Sequence, residues 1–383
     1  MEQGRLKQQI VRQINESARL GWYVDRQGRR QQAACLSFRD YMSVCLYDNE
    51  WGYYRAGPAR IGRAGDFYTS SAVGDVLAQS IARYALAYSD KLGKPLYLVE
   101  WGAGTGRLSR QIHAAGSKLN ADWIDRITGV MVEDHPAHRE AAAQGEREKP
   151  SACARPPRII SSTEAWADGM LQENCLVVAN ELLDAFPVHR VACVEGEVAE
   201  LGVAWDERDG LFEVYMPLTD ERIAAWLAAD GMALREGQRT EIHADSASFI
   251  ATLGAAMPRG RLLVIDYGHE AAEYAASHRM AGTLLCYSRH MAHDNPYERI
   301  GQQDITSHVP FTFIRRMAEE SGWRVSAYST QKQFLLDWGV LSLLRAHDGS
   351  DPFSETARLN RSIRQLLLSD QMSETFKVLA LER

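Results

Sequence analysis

From Leu96 onward, short apolar runs alternate with segments of helical periodicity, the sequence pattern of a parallel sheet covered on both faces. The runs Leu96 to Trp101, Ile127 to Val132, Arg158 to Ser161, Leu176 to Ala179 and Leu262 to Asp266 are expected strands. Trp323 to Tyr328 and Phe376 to Leu381 would complete a seven-stranded, Rossmann-like α/β sheet. Upstream, Leu6, Ile10 and Ile14 recur at helical spacing. A second helix is predicted after Ser37, with Phe38, Tyr41, Met42, Cys45 and Leu46 on one face and Ser37 and Asp40 placed as a capping box. A third follows from Val73 to about Tyr88. Between Pro187 and Thr240 the alternation breaks. Val188 to Cys193 and Val198 to Ala204 flank a Glu195-Gly196 turn, which predicts an inserted hairpin followed by a helix around Ile223 to Leu227. The expected organisation is a helical N-terminal extension over 1–90 and a sheet domain over 91–383, with insertions at about 188–240 and 268–315.

Composition narrows the function classes. The chain has 383 residues, 45% hydrophobic and 24% charged, enough to bury a large core. No run approaches the ~20 apolar residues of a membrane span. The formal charge of −7 is spread along the chain without a basic block, so nucleic acid is a poor expected ligand. Six scattered cysteines without CxxC spacing point to a reducing compartment and no structural metal. His290 and His293 lack an accompanying ligand pattern, and no metal is expected there. The arginines of the first thirty residues resemble a transit peptide, but their apolar spacing favours a helix of the fold. A cytoplasmic location is expected, or the mitochondrial matrix if that segment is a leader.

The sharpest local signal is Glu100-Trp101-Gly102-Ala103-Gly104-Thr105-Gly106-Arg107, a strand running into a glycine turn and then a helix. Such a turn brings main-chain N–H groups up to a ligand. A dinucleotide site prefers a glycine where Arg107 stands, so the spacing favours a nucleotide-like ligand without pyrophosphate, such as S-adenosyl-L-methionine. The next strand ends in Glu133-Asp134, and Glu133 is the expected ribose ligand. The following strand delivers Asn180-Glu181-Leu182-Leu183-Asp184. Methyl transfer is a direct displacement that needs alignment and, where the acceptor requires it, proton removal. Glu181 and Asp184 suit that work on a guanidinium; capping of a following helix is the alternative for Asp184 and Asn180. His308 is a weaker candidate base, with pocket shaping as its alternative.

Ordered blocks along the chain resemble the MidA family of methyltransferases, which includes a mitochondrial protein-arginine methyltransferase that assists assembly of respiratory complex I. The resemblance is carried by Gly65-Asp66-Phe67-Tyr68-Thr69-Ser70, the Glu100 to Gly106 loop, Asn180 to Pro187, Ile265 to Gly268, Gly282-Thr283-Leu284, Asp304 to Val309, Gln333-Phe334-Leu335 and Phe376 to Leu379. It implies a seven-stranded class I methyltransferase fold with cofactor contacts from Gly102, Gly104, Gly106 and Glu133. It further implies that Gly65, Asp66 and Thr69, with Asn180 and Glu181, close over cofactor and acceptor. Two positions depart from the pattern: Ser71-Ala72 replaces a Pro-Glu pair, and Pro310 stands where an acid is common. The acceptor is expected to be a protein, arginine foremost, or a small molecule; a homodimer is open. An idle assembly protein that keeps the cofactor fold is a reading of another class. A nicotinamide oxidoreductase is opposed by Arg107.

Overall fold

The structure, a computed structural model, describes residues 2–57, 75–148, 156–289, 291–347, 351, 353–368 and 374–383. Seven strands follow the order β6-β7-β5-β4-β1-β2-β3: β1 is Leu96–Trp101, β2 Ile127–Val132, β3 Arg158–Ile160, β4 Cys175–Asn180, β5 Gly260–His269, β6 Arg324–Thr330 and β7 Phe376–Glu382. The path β5-β4-β1-β2-β3 is parallel, while β7 runs antiparallel to both β5 and β6. The sheet belongs to a unit formed by Pro58–Leu182, Ile250–Tyr267 and Ala318–Arg383.

The apolar runs seen in the sequence are apolar because both faces of these strands are covered. Leu176, Val177, Val178 and Ala179 of β4 and Leu262 to Ile265 of β5 have no exposed surface. In register, Val99 of β1 lies between Val177 and Val130, so β-branched side chains stack across the sheet. Helix α1 (Val76–Leu92) places Leu77, Ile81, Tyr84 and Tyr88 in one core with Leu98, Val178, Leu263 and Ile265. Helix α2 (Arg107–Leu119) adds Leu108 and Ile112 to it. Each such large aliphatic side chain contributes roughly 2 kcal/mol on burial. On the same chain, α3 spans Pro136–Glu148, α4 Gln331–Asp337 and α5 Glu355–Leu368.

The second unit consists of Met1–Gly57, Leu183–Phe249 and Gly268–Met317. Residues 1–57 of the extension expected over 1–90 thus form one body with the two expected insertions and contain strands, whereas helix Val76–Leu92 belongs to the sheet unit. Leu20–Val24 and Arg30–Ser37 make a hairpin whose sequence lacks clean alternation, because Trp22 and Gln32 face each other on a half-covered surface. The antiparallel order is Arg239–Ile242, His189–Val194, Glu197–Asp206, Arg30–Ser37, Leu20–Val24, Gly210–Met216; the last strand also pairs with Glu197–Asp206, closing a four-strand ring. Helix Glu2–Glu16 buries Leu6, Ile10 and Ile14, and helix Phe38–Tyr47 is capped by Ser37 through Asp40 N. The Glu195-Gly196 turn is formed with both residues at positive φ, 56° and 78°, as a tight hairpin requires. Gly268 pairs with Val309, and a Cβ at Gly268 would lie 2.0 Å from the Val309 carbonyl oxygen. That close approach explains a glycine in the Asp266-Tyr267-Gly268 block.

Candidate active site

The carboxyl ends of β1, β2 and β4 share one edge, where open α/β sheets place ligands. After β1 the chain turns through Gly102, Gly104 and Gly106 at φ of 73°, 54° and 68°. These are left-handed values that cost an L side chain roughly 1–2 kcal/mol each. The amides of Gly102 and Ala103 bond to the Val132 carbonyl at 2.9 and 3.0 Å, which fixes the turn against the end of β2. A Cβ on Gly106 would meet Met131 Sδ at 2.6 Å and the Ala142 methyl at 3.2 Å. Gly106 therefore provides the close helix–strand packing that a dinucleotide fingerprint assigns one residue later. The Thr105 carbonyl accepts from the Arg110 guanidinium at 2.8 Å.

Glu133 stands across this turn. The Gly104 amide donates to its Oε2 and the His135 amide to its Oε1, both at 2.7 Å. His138 Nδ1 lies 3.8 Å from Oε1. Burial alone would raise the Glu133 pKa, but His138 and the two amides outweigh it and hold the carboxyl below its usual range. Each carboxylate oxygen keeps acceptor capacity after these bonds, enough for a pair of vicinal hydroxyls. Pro136 opens α3 at its first position and so sets the His135 amide at the helix N-terminus. The sequence reading missed this support, although Glu-Asp-His-Pro after a strand signals it. Asp134 accepts from the Ser162 amide and hydroxyl at 2.8 and 2.7 Å, an attachment to the neighbouring helix.

Glu100 is 6% exposed and accepts from the Ser109 amide in the first turn of α2 at 2.9 Å. Burial raises its pKa to about 8. At the end of β4, Asn180 Oδ1 is buried and has no donor among the described residues. Its Nδ2 donates to Glu181 Oε1 at 3.4 Å. Glu181 sits at φ 49°, rare for a residue with a side chain, while its amide bonds to the Ile265 carbonyl at 2.9 Å. Strain of this kind concentrates at functional positions. The next residue, Leu182, fills the space beside Gly102, where a Cβ would come within 2.8 Å of Leu182 Cδ1.

Asp184 and His308 belong to the other unit. Asp184 is buried on the 3₁₀ turn Leu183–Ala185, and its carbonyl accepts from the Ser307 amide at 3.0 Å. Tyr47 donates to the Ala185 carbonyl at 3.0 Å and stacks on Tyr54, whose hydroxyl donates to Asp304 at 2.7 Å. His308 packs against the His269 ring at 5.1 Å. Burial, then His269 and Arg279, lower its pKa to about 3, so its imidazole is neutral and weakly basic. Gly65, Asp66, Thr69 and His290 lie outside the described residues.

A family described as "Putative S-adenosyl-L-methionine-dependent methyltransferase" matches residues 80–329. The chain belongs to this family. A crystal structure from Burkholderia thailandensis with S-adenosyl-homocysteine bound is 29% identical, covers 100% of this chain and 92% of that one, and superposes with a TM-score of 0.86. The protein arginine methyltransferase NDUFAF7 of Danio rerio, named mitochondrial, is 24% identical over 89% of this chain and 82% of its own length. Its Drosophila melanogaster homolog is 27% identical over 74% of this chain and 66% of its own length. This member of the family is a Rossmann-like, S-adenosyl-L-methionine-dependent methyltransferase. No described helix is long and apolar enough to cross a membrane.

Proposed function

We propose that residues 102–106 with Glu133 hold S-adenosyl-L-methionine, and that its methyl group goes to an arginine side chain of a protein. When bound, the cofactor supplies an electrophilic methyl on a sulfonium. The observation that carries the placement is the pairing of a left-handed glycine turn with a carboxylate already oriented by the Gly104 and His135 amides. Glu133 then accepts from the ribose hydroxyls. Asn180 Oδ1, buried without a donor, takes a hydrogen bond from the bound ligand.

Arginine is supported by the names of the Danio and Drosophila relatives. A guanidinium keeps its proton above pH 12 in water, so transfer needs carboxylates that pair with it and take the proton as the N–C bond forms. Glu181 is assigned that role. His308, with its pKa lowered to about 3, is too weak a base to share it and shapes its pocket instead.

Calorimetric titration with the cofactor and mass spectrometry of arginine peptides test the reading on the parent and on Glu181→Gln. The variant is expected to bind the cofactor like the parent and to methylate about 100-fold more slowly. Equal methylation by both proteins overturns the role of Glu181, and absence of cofactor binding by the parent overturns the placement.

A further inference from the structure

Helix α5 (Glu355–Leu368) buries Ala357, Ile363, Leu366 and Leu367 and packs half-buried Leu359 on the core. Arg358, Arg361 and Arg364 are all exposed. At 100° per residue they fall within an arc of about 120°, and Leu368 lies inside the same arc. Phe353 and Leu368, 74% and 68% exposed, are the two most exposed large apolar side chains among the described residues. Phe353 precedes the helix by two residues and Leu368 ends it, so they flank the arginines along the chain, with about 20 Å of helix between Glu355 and Leu368.

The exposure of Phe353 has a local cause. Ser354 caps the helix by accepting from the Ala357 amide at 3.2 Å, which puts Phe353 at the position that ordinarily packs against the fourth helical residue. That residue is Arg358, so the apolar staple is not made. Among the described residues no carboxylate pairs with the side chains of Arg358 or Arg364. The exposed acids nearby, Asp351 and Glu355, stand at the N-terminal end, where the helix dipole favours negative charge.

We propose that this face of α5 docks on a bilayer surface carrying anionic phospholipids, the arginines meeting the headgroups and Phe353 and Leu368 entering the interface. The argument is charge complementarity. A chain of net charge −7 is repelled as a whole by an anionic surface, and this stripe concentrates cations with an apolar anchor at each end. An acidic protein would satisfy the arginines but has no use for two isolated apolar side chains so far apart.

Sedimentation of the full chain with vesicles tests it, using phosphatidylcholine alone or with about a third phosphatidylglycerol, at low and high salt. Binding is expected to the anionic vesicles and to weaken with salt. Replacing Arg358→Gln and Arg364→Gln together should lower it about 30-fold. Phe353→Ser with Leu368→Ser should weaken it at both salt concentrations alike. Cofactor titration checks that each variant is folded. Equal partition onto neutral and anionic vesicles, or binding by the arginine variant equal to the parent, overturns the proposal. Retention on an acidic polypeptide without binding to vesicles overturns it in favour of a protein partner.

Discussion

The edge of the seven-stranded sheet at the carboxyl ends of β1 and β2 and the antiparallel sheet of the second unit both bury carboxylates, but with different partners. At the edge, Glu133 and Glu100 are held mainly by backbone amides: Gly104 and His135 for the first, Ser109 for the second. In the antiparallel sheet, charged and polar side chains join the amides as partners. Glu241 accepts from the Thr283 amide and hydroxyl, both at 2.9 Å, with Arg190 Nε 3.8 Å away. Glu213 takes Arg190 at 3.1 Å and Arg239 at 2.7 Å, and Glu200 takes His189 and Thr219. An amide-held carboxylate keeps lone pairs for a ligand, whereas a carboxylate enclosed by charged side chains is a structural strut. The first arrangement leaves acceptor capacity free, and the second ties residues distant in sequence to one another.

The comparison breaks most visibly at Glu241. Glu241→Ala leaves the buried Thr283 amide and hydroxyl without their acceptor and takes one of two carboxylates from Arg190, which should cost about 3–5 kcal/mol, read by urea unfolding. The folded fraction should bind cofactor as before. Full stability would show that the network is not a strut, and weakened cofactor binding in the folded protein would show that it is not only one.

Gly106→Val combines left-handed strain with the contacts to Met131 and Ala142, for about 3 kcal/mol of lost stability together with lost cofactor binding. A variant that unfolds earlier yet binds normally when folded would remove the turn from the site.

Within the edge itself the two glutamates differ in sign. Burial raises the Glu100 pKa from 4.5 to about 8, so folding takes up a proton between those values. The stability this provides is complete below pH 4.5 and is lost progressively as pH rises toward 8. Glu133, lowered despite burial, acts in the other sense, and its contribution is lost as pH falls below its ordinary value. Glu100→Gln should flatten the alkaline slope between pH 5 and 8. An unchanged slope would mean that Glu100 is ionised in the folded protein at neutral pH.

Legibility followed sequence separation. The strands of the parallel sheet were readable because burial on both faces makes each an unbroken apolar run, as in Leu262 to Ile265. The glycine turn and Glu133 were readable because a strand, a turn and a helix start leave their marks within a few residues. The hairpin of Leu20–Val24 and Arg30–Ser37 was not, since its half-covered faces give no period. Nor were the partners of Glu241, which lie 42 residues away at Thr283.

The order of apolar runs and the glycines after Leu96 settled the kind of sheet and the turn that follows its first strand, because periodicity and backbone permissiveness are local properties. Only the folded chain decided that residues from three separated segments build a second unit, which carboxylates receive amides and which receive arginines, and that Glu181 turns at a left-handed φ. Those outcomes depend on packing between distant parts of the chain, where burial penalties select partners that no neighbouring residue announces.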